Sequence, residues 1–366
     1  MSQRGKRFIV YSFVMWMWLF GMSLPTLAAS QATPLTILSL STDTPQTIEQ
    51  ILLSSVGDCT LGTDERFGSA DTMPAVIKAH GNDYSYVFSN VAEIFAASDF
   101  TTANLETTLT RSNHPVEKTF AFHGDPEYAN MLKLGHINAV NLSNNHIYDY
   151  GDVGFSDTLA SLNKTGITYF GEGNVAIQTI KGRQFAFLGY TGFSYDRAFL
   201  EKLRRDIETV KKQGCIVIIN FHWGEELLNH TIPTQKELAH YAIDYGADFI
   251  FGHHPHVLQP IERYKGKLIC YSLGNFAFGG NKNPDDKDTM IVQTRFDFQG
   301  SKLVSYGVRI IPCSISSVNY INDYRPTPLT GNAKARVLDR LNKISPLAGF
   351  TLTDEFTTLP FEETAP

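Results

Sequence analysis

The side chains best suited to chemistry in this sequence sit where short apolar runs stop. Ile51-Leu52-Leu53-Ser54-Ser55-Val56 ends in Gly57-Asp58, Asp99 to Ala103 leads into Asn104-Leu105-Glu106, and Ala139 to Leu142 leads into Ser143-Asn144-Asn145-His146. Further on, Cys215 to Asn220 leads into Phe221-His222-Trp223-Gly224, and Phe249-Ile250-Phe251 into Gly252-His253-His254-Pro255-His256. Taken singly, each polar residue has an ordinary reading: Asp58 caps a turn, Asn145 holds a left-handed turn, His222 is a buried and satisfied histidine. Recurrence at equivalent ends of successive runs argues for a shared purpose. Two carboxylates, an amide and three imidazoles converging on one rim form the usual ligand set for a borderline or hard divalent ion, with no thiolate needed. Ser-His-Asp catalysis fits less well, because no Gly-x-Ser-x-Gly elbow occurs and the histidines cluster as metal ligands do.

These residues need strands to carry them. The apolar runs, together with Phe185 to Gly189 before Tyr190-Thr191-Gly192 and Lys267 to Tyr271, are short enough for strands. They alternate with helical patterns at Val87 to Ala97, Pro126 to Leu134, Gly154 to Lys164, Ala198 to Gln213 and Thr234 to Tyr245. Strand–helix alternation at this spacing predicts an α/β fold. In such sheets ligands bind beyond the carboxyl ends of the strands, where the polar residues fall.

The 366 residues are 43% hydrophobic and 12% aromatic with 28 glycines, a composition that sustains a core and excludes global disorder. Thirty-one Lys plus Arg against 37 Asp plus Glu give a net charge of -6, so nothing draws the chain to nucleic acid by mass electrostatics. Cys59, Cys215, Cys270 and Cys313 lack the pair spacings of a zinc ribbon and read mostly as buried free thiols, with one pair bridged in an oxidising compartment as the alternative. Arg4, Lys6 and Arg7 precede an apolar run from Phe8 to Leu24, and Pro25-Thr26-Leu27-Ala28-Ala29 supplies a helix break and small residues. Residues 1–29 are therefore expected to be a secretory signal cut near Ala28 or Ala29, with an uncleaved N-terminal anchor as the alternative. Either way the mature protein is expected to be exported, at the periplasmic or extracytoplasmic face of the membrane. Residues 30–50 read as a linker, and 317–366 as a C-terminal extension with an amphipathic helix from Ala333 to Ile344 and a poorly ordered acidic tail from Thr351.

The ordered series Gly57-Asp58-Cys59-Thr60-Leu61-Gly62, Ala103-Asn104-Leu105-Glu106, Leu142 to Gly151 with Asn145-His146 at its centre, His222-Trp223-Gly224-Glu225-Glu226, Gly252-His253-His254-Pro255-His256-Val257 and Tyr271-Ser272-Leu273-Gly274-Asn275-Phe276 resembles the bacterial capsule-synthesis CapA family, also called poly-γ-glutamate synthesis proteins. The resemblance places a domain at 51–316. It implies a relation to the calcineurin-like metallophosphoesterases, hence a four-layer α/β/β/α sandwich with a metal site on strand-end loops. By that resemblance Asp58, Glu106, Asn145, His222, His254 and His256 are the metal ligands, for Mn, Fe or Zn, and His146 faces the substrate. Two departures stand out: Cys59-Thr60 follow Asp58 where the superfamily has a histidine two residues on, and Glu106 stands for a bridging aspartate. These changes point to one well-held ion, with a second site weak or absent. The resemblance also implies an anionic envelope polymer as partner, with a membrane-bound polymer synthase complex beside it. Two function classes follow: a metal-dependent hydrolase or transferase, or a non-catalytic assembly or export factor gripping the polymer through a degenerate site.

Neighbouring residues fill out the candidate site. Asp149 either accepts the other ring N–H of His146, fixing its tautomer for catalysis, or caps a helix. Glu225 and Glu226 face the cleft or open the following helix, and Glu225, Ser272 and Asn275 are assigned to substrate binding. Trp223 is expected to pack the cleft wall and His253 to point away from the ligand pair. Arg66, Arg111, Lys118 and His123 offer basic groups in loops after the first two motifs.

Overall fold

A computed structural model describes residues 48–362. The expected signal segment and most of the linker lie outside these residues. In chain order the large sheet is built first: β1 (Ile48–Thr60), helices α1 (Met73–Ala79) and α2 (Ala92–Ala96), then β2 (Phe100–Leu105). The short strands β3 (Thr108–Leu109) and β4 (His123–Gly124) precede α3 (Ala129–Leu134), β5 (Ala139–Asn141), α4 (Gly151–Thr165) and β6 (Thr168–Phe170). A second sheet follows from β7 (Ala176–Ile180), β8 (Arg183–Thr191), α5 (Arg197–Lys211), β9 (Ile216–His222), α6 (Pro233–Asp244), β10 (Phe249–His253), β11 (Ile261–Tyr264) and β12 (Lys267–Cys270). The chain returns to the first sheet with β13 (Asn275–Phe278), β14 (Asp288–Gln299), β15 (Lys302–Ser314), β16 (Thr327–Pro328), α7 (Gly331–Ile344) and β17 (Thr357–Pro360).

The larger sheet has the order β16-β15-β14-β1-β2-β5-β6, with β13 also on β1 and β17 on β15, and the smaller has the order β11-β12-β10-β9-β8-β7. Both are mixed: β1, β2, β5 and β6 run parallel, as do β8, β9, β10 and β12, while β14 and β15 form a long antiparallel pair. Apolar side chains sort into three clusters. One joins the sheets, with Leu53, Phe100 and Phe296 from the larger and Phe187, Ile218 and Phe249 from the smaller. A second sets Ala103, Leu105 and Val140 against Ile77, Met131 and Leu162 of the helices α1, α3 and α4. The third sets Leu188, Val217 and Ile250 against Leu203, Ile207, Leu238 and Ile243 of α5 and α6. Strands that bury both faces read as continuous apolar runs, as in Ile216-Val217-Ile218-Ile219. Helix α5 shows the complementary logic: Asp196 caps it by accepting from Phe199 N at 2.8 Å, Leu203, Ile207 and Val210 fall on one stripe, and Arg197–Glu201 pairs outward.

Three sequence expectations need correction. The 30–50 linker ends early, because β1 begins at Ile48 and pairs antiparallel with β14 from there. The amphipathic helix expected from Ala333 to Ile344 is present as α7, with Val337 and Leu341 in the core between the sheets, but the tail from Thr351 is not poorly ordered over its described part: Leu352 and Leu359 enter the same core and β17 pairs antiparallel with β15. A few apolar anchors spaced within polar sequence, plus a free strand edge to cover, outweigh composition. The helix expected over Val87 to Ala97 shrinks to α2, preceded by successive turns that bury Val87, Phe88 and Val91 together. All four cysteines are free and buried.

Candidate metal centre

The carboxyl ends of the two sets of parallel strands meet at one place. On the larger sheet Asp58 lies in register with Asn104 and with Asn275, and Asn104 with Asn141. On the smaller sheet Thr191, His222 and His253 are in register. Gly57 permits the approach: a Cβ there would fall 1.9 Å from the Gly274 carbonyl oxygen, which accepts from Asp58 N at 3.0 Å. Buried Asp58 then accepts from Asn104 Nδ2 at 2.9 Å and from His254 N at 3.1 Å, with His253 Nδ1 and His256 Nδ1 each at 3.3 Å. Burial alone would raise its pKa, but hydrogen bonds and charge from His253 and His256 win and hold it well below the usual carboxylate range. His254 and His256 both have positive φ, 93° and 59°, strained conformations that turn two near-adjacent imidazoles onto one centre.

Glu106 is the unusual member. Its side chain is fully buried and neither carboxylate oxygen has a hydrogen-bond partner. Two imidazoles face it, with His222 Nε2 at 3.5 Å and His256 Nε2 at 3.7 Å from Oε1. Burial pushes its pKa well above the ordinary value, and the charge of Asp58 adds to that against the attraction of His256. Two side-chain groups could each hold a metal ion: Asp58, Glu106 and His222, and Glu106, His254 and His256, with ligand atoms in each group within 4.8 Å of one another. Glu106 belongs to both, so the geometry offers two overlapping groups where the sequence pointed to a single well-held ion. His222 is neutral, its pKa driven down first by burial and then by the charge of His254, and its Nε2 lies 2.7 Å from Asn145 Oδ1. His254 is lowered to about 3 by burial and by His256, and its buried Nδ1 has no partner. His256 goes the other way: burial opposes its charge, yet Glu106 and Asp58 raise it to about 9. The departure at Cys59-Thr60 supplies no substitute ligand, since burial raises the Cys59 thiol to about 12 and Thr60 Oγ1 is buried without a partner.

A hydrogen-bonded chain flanks this centre. His146 Nδ1 lies 2.6 Å from Asp149 Oδ2, and Asp149 also accepts from Lys118 Nζ at 2.7 Å and from Phe122 N at 2.6 Å. Lys118 Nζ additionally donates to the Asn145 carbonyl at 2.7 Å. Asp149 thus accepts the His146 ring N–H, the first of the two readings left open by the sequence, leaving Nε2 as the other ring nitrogen. Burial lowers the His146 pKa in spite of Asp149, so the ring is neutral at pH 7. His146 and His256 line a cavity of about 480 Å³ whose walls include Phe122, Phe278, Leu227 and Glu226.

The sequence profile described as bacterial capsule synthesis protein PGA_cap matches residues 53–280, a stretch that contains every residue of this centre. The chain belongs to that family. Among relatives it is 28% identical over 323 residues to the capsule biosynthesis protein CapA of Bacillus anthracis, covering 81% of this chain and 74% of that protein. It is 36% identical over 214 residues to the PGA biosynthesis protein CapA of Bacillus subtilis, covering 52% of this chain and 56% of the relative. A probable polyglutamine synthesis accessory protein of Mycobacterium tuberculosis is 28% identical over 258 residues, covering 60% and 67%. Among solved structures, TT1561 of Thermus thermophilus aligns with a TM-score of 0.41 and 10% identity over 74% of this chain and 100% of that chain, too distant to carry an argument.

Within the PGA_cap stretch the structure sorts the expected site residues. Asp58, Glu106, Asn145, His146, Asp149, His222, His254 and His256 come together as described. Asn275 lines the cavity with His146 and His256, and its Oδ1 lies 2.8 Å from His256 Nδ1, so it also orients that imidazole. Ser272 does not line the cavity; its buried Oγ accepts from Gly274 N at 3.2 Å and shapes the turn beneath Asp58. Glu225 is exposed and absent from the cavity wall, where its neighbour Glu226 stands instead. His253 does not point away; its Nε2 lies 2.9 Å from Asn220 Oδ1 and its Nδ1 faces Asp58. Trp223 packs flat on Phe221 and donates Nε1–H to Tyr271 O at 2.8 Å. Arg66, Arg111 and His123 pair with Asp64, Asp125 and Glu65, which leaves Lys118 as the basic loop residue that reaches the centre. Sequence reasoning missed Asn104, which bridges Asp58 and Asn141, and Phe193, whose ring stacks edgewise on His254 at 4.6 Å. Asn104 lay inside a quoted motif; no sequence signal marked Phe193.

Proposed function

We propose that this chain is an exported, metal-dependent hydrolase or transferase acting on a capsule polymer of the poly-γ-glutamate kind, with the layer order of a metallophosphoesterase-like α/β/β/α sandwich. The names of its relatives support the polymer, and two sheets with helices packed outside each support the layering. The observation that carries the metal is Glu106, a fully buried carboxylate without a hydrogen bond, facing two imidazoles. A buried charge in that state is costly unless a cation compensates it, so the residues present fit one. Asp58, Glu106, Asn145, His222, His254 and His256 would hold Mn, Fe or Zn; a bound ion supplies Lewis acidity and makes water acidic near neutral pH. The chain's own part is orientation and proton handling. Asp149 keeps the proton of His146 on Nδ1, so that Nε2 presents a lone pair to the cavity, and Lys118 holds Asp149 in place. Asn275 and Asp58 hold the His256 ring, while Phe122 and Phe278, with ring centroids 4.3 Å from His146 and 4.9 Å from His256, restrict water. Residues 1–29 would direct export, which N-terminal sequencing of protein recovered outside the inner membrane tests.

The deciding experiment titrates Mn²⁺, Fe²⁺ and Zn²⁺ into chain lacking residues 1–29 and assays γ-glutamyl and phosphodiester substrates. The expected result is metal-dependent turnover that falls on the order of 10² to 10⁴ in His146→Ala at unchanged metal content. Full turnover in a folded, metal-replete His146→Ala protein overturns the catalytic role. Metal-dependent polymer binding without any turnover would instead establish the assembly-factor reading.

A further inference from the structure

A metal-ligating imidazole keeps its aim when a polar partner holds its ring. Most imidazoles at this centre have one. His256 Nδ1 faces Asn275 Oδ1 at 2.8 Å, His222 Nε2 faces Asn145 Oδ1 at 2.7 Å, and His146 Nδ1 faces Asp149 Oδ2 at 2.6 Å. His254 is the exception. Its backbone N donates to Asp58 Oδ2 at 3.1 Å, but among the described residues no hydrogen bond holds its ring, whose Nδ1 is buried without a partner. Its backbone is also strained, at a φ of 93°.

Another ring does the holding. Phe193 packs edge to face on His254 with centroids 4.6 Å apart and planes at 75°, and on His222 with centroids 5.8 Å apart and planes at 86°. Aromatic rings favour this arrangement at these separations. One side chain therefore touches an imidazole from each of the two ligand groups that share Glu106. Backbone pairing delivers it there: Thr191 at the end of β8 is in register with His222, and Gly192 N donates to the His222 carbonyl at 2.9 Å, so Phe193 leaves the sheet beside that ligand. Phe193 is 39% exposed, whereas His254 is 7% and His222 0% exposed, so the ring has one side in solvent and the other against the imidazoles. It does not line the cavity that opens on His146 and His256, and it bounds the ligands apart from that cavity.

We propose that Phe193 is the positioning residue for His254, fixing that ring by contact where no hydrogen bond does, and that it screens His254 and His222 from solvent and slows metal loss. The proposal rests on the metal reading of the centre. Full-length chain loaded with Zn²⁺ and challenged with an excess of a chromogenic chelator reads the release rate without any substrate. Phe193→Ala should release metal about tenfold faster or more, the scale expected when a ligating histidine loses the group that orients it. Phe193→Tyr, which keeps the aromatic edge, should restore the wild-type rate. Tyr195→Ala, which removes a ring of similar exposure two residues along the same segment, should release as wild type does. Metal-free thermal melts check that each variant folds, and Phe193→Leu, which keeps apolar bulk without a flat edge, replaces Phe193→Ala if that variant does not. A wild-type rate in the variant lacking the ring, equal acceleration in Tyr195→Ala, or a fast rate in Phe193→Tyr overturns the proposal and leaves the metal reading intact. Wild-type chain that retains no Zn²⁺ on elemental analysis overturns the metal reading and this proposal with it.

Discussion

Replacing Glu106 by Gln tests the metal centre at its shared point. The substitution preserves shape, removes an anionic ligand from both groups at once, and replaces a buried carboxyl that has no hydrogen bond with a neutral amide. Metal-free protein should therefore lose no stability, because an amide is easier to bury than a carboxylate. Metal-bound protein should behave differently. With free metal at a hundred times Kd, binding stabilises the native chain by about 2.7 kcal/mol; a hundredfold weaker Kd reduces this to about 0.4 kcal/mol. At about 2 °C per kcal/mol for a chain of this size, the metal-induced rise in Tm should fall from about 5 °C to under about 1 °C. His254→Ala, which removes a ligand from only one group, should lie between these values. Thermal melts with and without Mn²⁺, paired with elemental analysis, measure both effects. A Glu106→Gln protein that keeps the full metal-induced shift would refute the reasoning, and one that is strongly destabilised without metal would show that Glu106 is a structural residue.

Metal affinity should depend on pH through the same residues. His256 is protonated in the metal-free fold up to about 9, so its stabilising charge is present below its ordinary value near 6.5 and is lost as pH rises through 9, whereas ligation needs the neutral ring. Apparent Kd should thus improve about tenfold per unit from pH 6 to 8, with proton release that buffers of different ionisation enthalpy detect; a flat profile contradicts it. His254, already neutral above about 3, should add nothing to that slope. Asp149→Asn should lower turnover roughly 10- to 100-fold with metal content unchanged, since it loosens the proton assignment on His146 while keeping an acceptor for Phe122 N; unaltered turnover removes Asp149 from the machinery. Away from the centre, Asp248→Ala should destabilise by about 3–5 kcal/mol in urea titrations, because it strips the buried Lys267 ammonium of the carboxylate 3.1 Å away; a loss under about 1 kcal/mol would show the pair to be well solvated.

Much of the centre was legible from local sequence. A strand end is marked by an apolar run stopping at a polar residue, and Asp58, Asn145, His222, His254 and His256 each follow such a run, so residue type and position together picked them out as candidates. The alternation of strands and helices likewise announced an α/β fold, because both periodicities are local. What local pattern cannot carry is which neighbour faces the cavity and which groups compensate each other. Glu226 rather than Glu225 lines it, and His253 meets Asp58 because two different sheets bring their strand ends together. Lys118, separated from His146 by 28 residues, reaches it only through the folded loop. The C-terminal residues looked like a polar tail because the buried anchors are too sparse to form a pattern, yet the edge of β15 and the core between the sheets recruit them. The opposite shifts of His254 and His256, two residues apart in the chain, arise from distances to Asp58, Glu106 and one another, and only packing sets those distances.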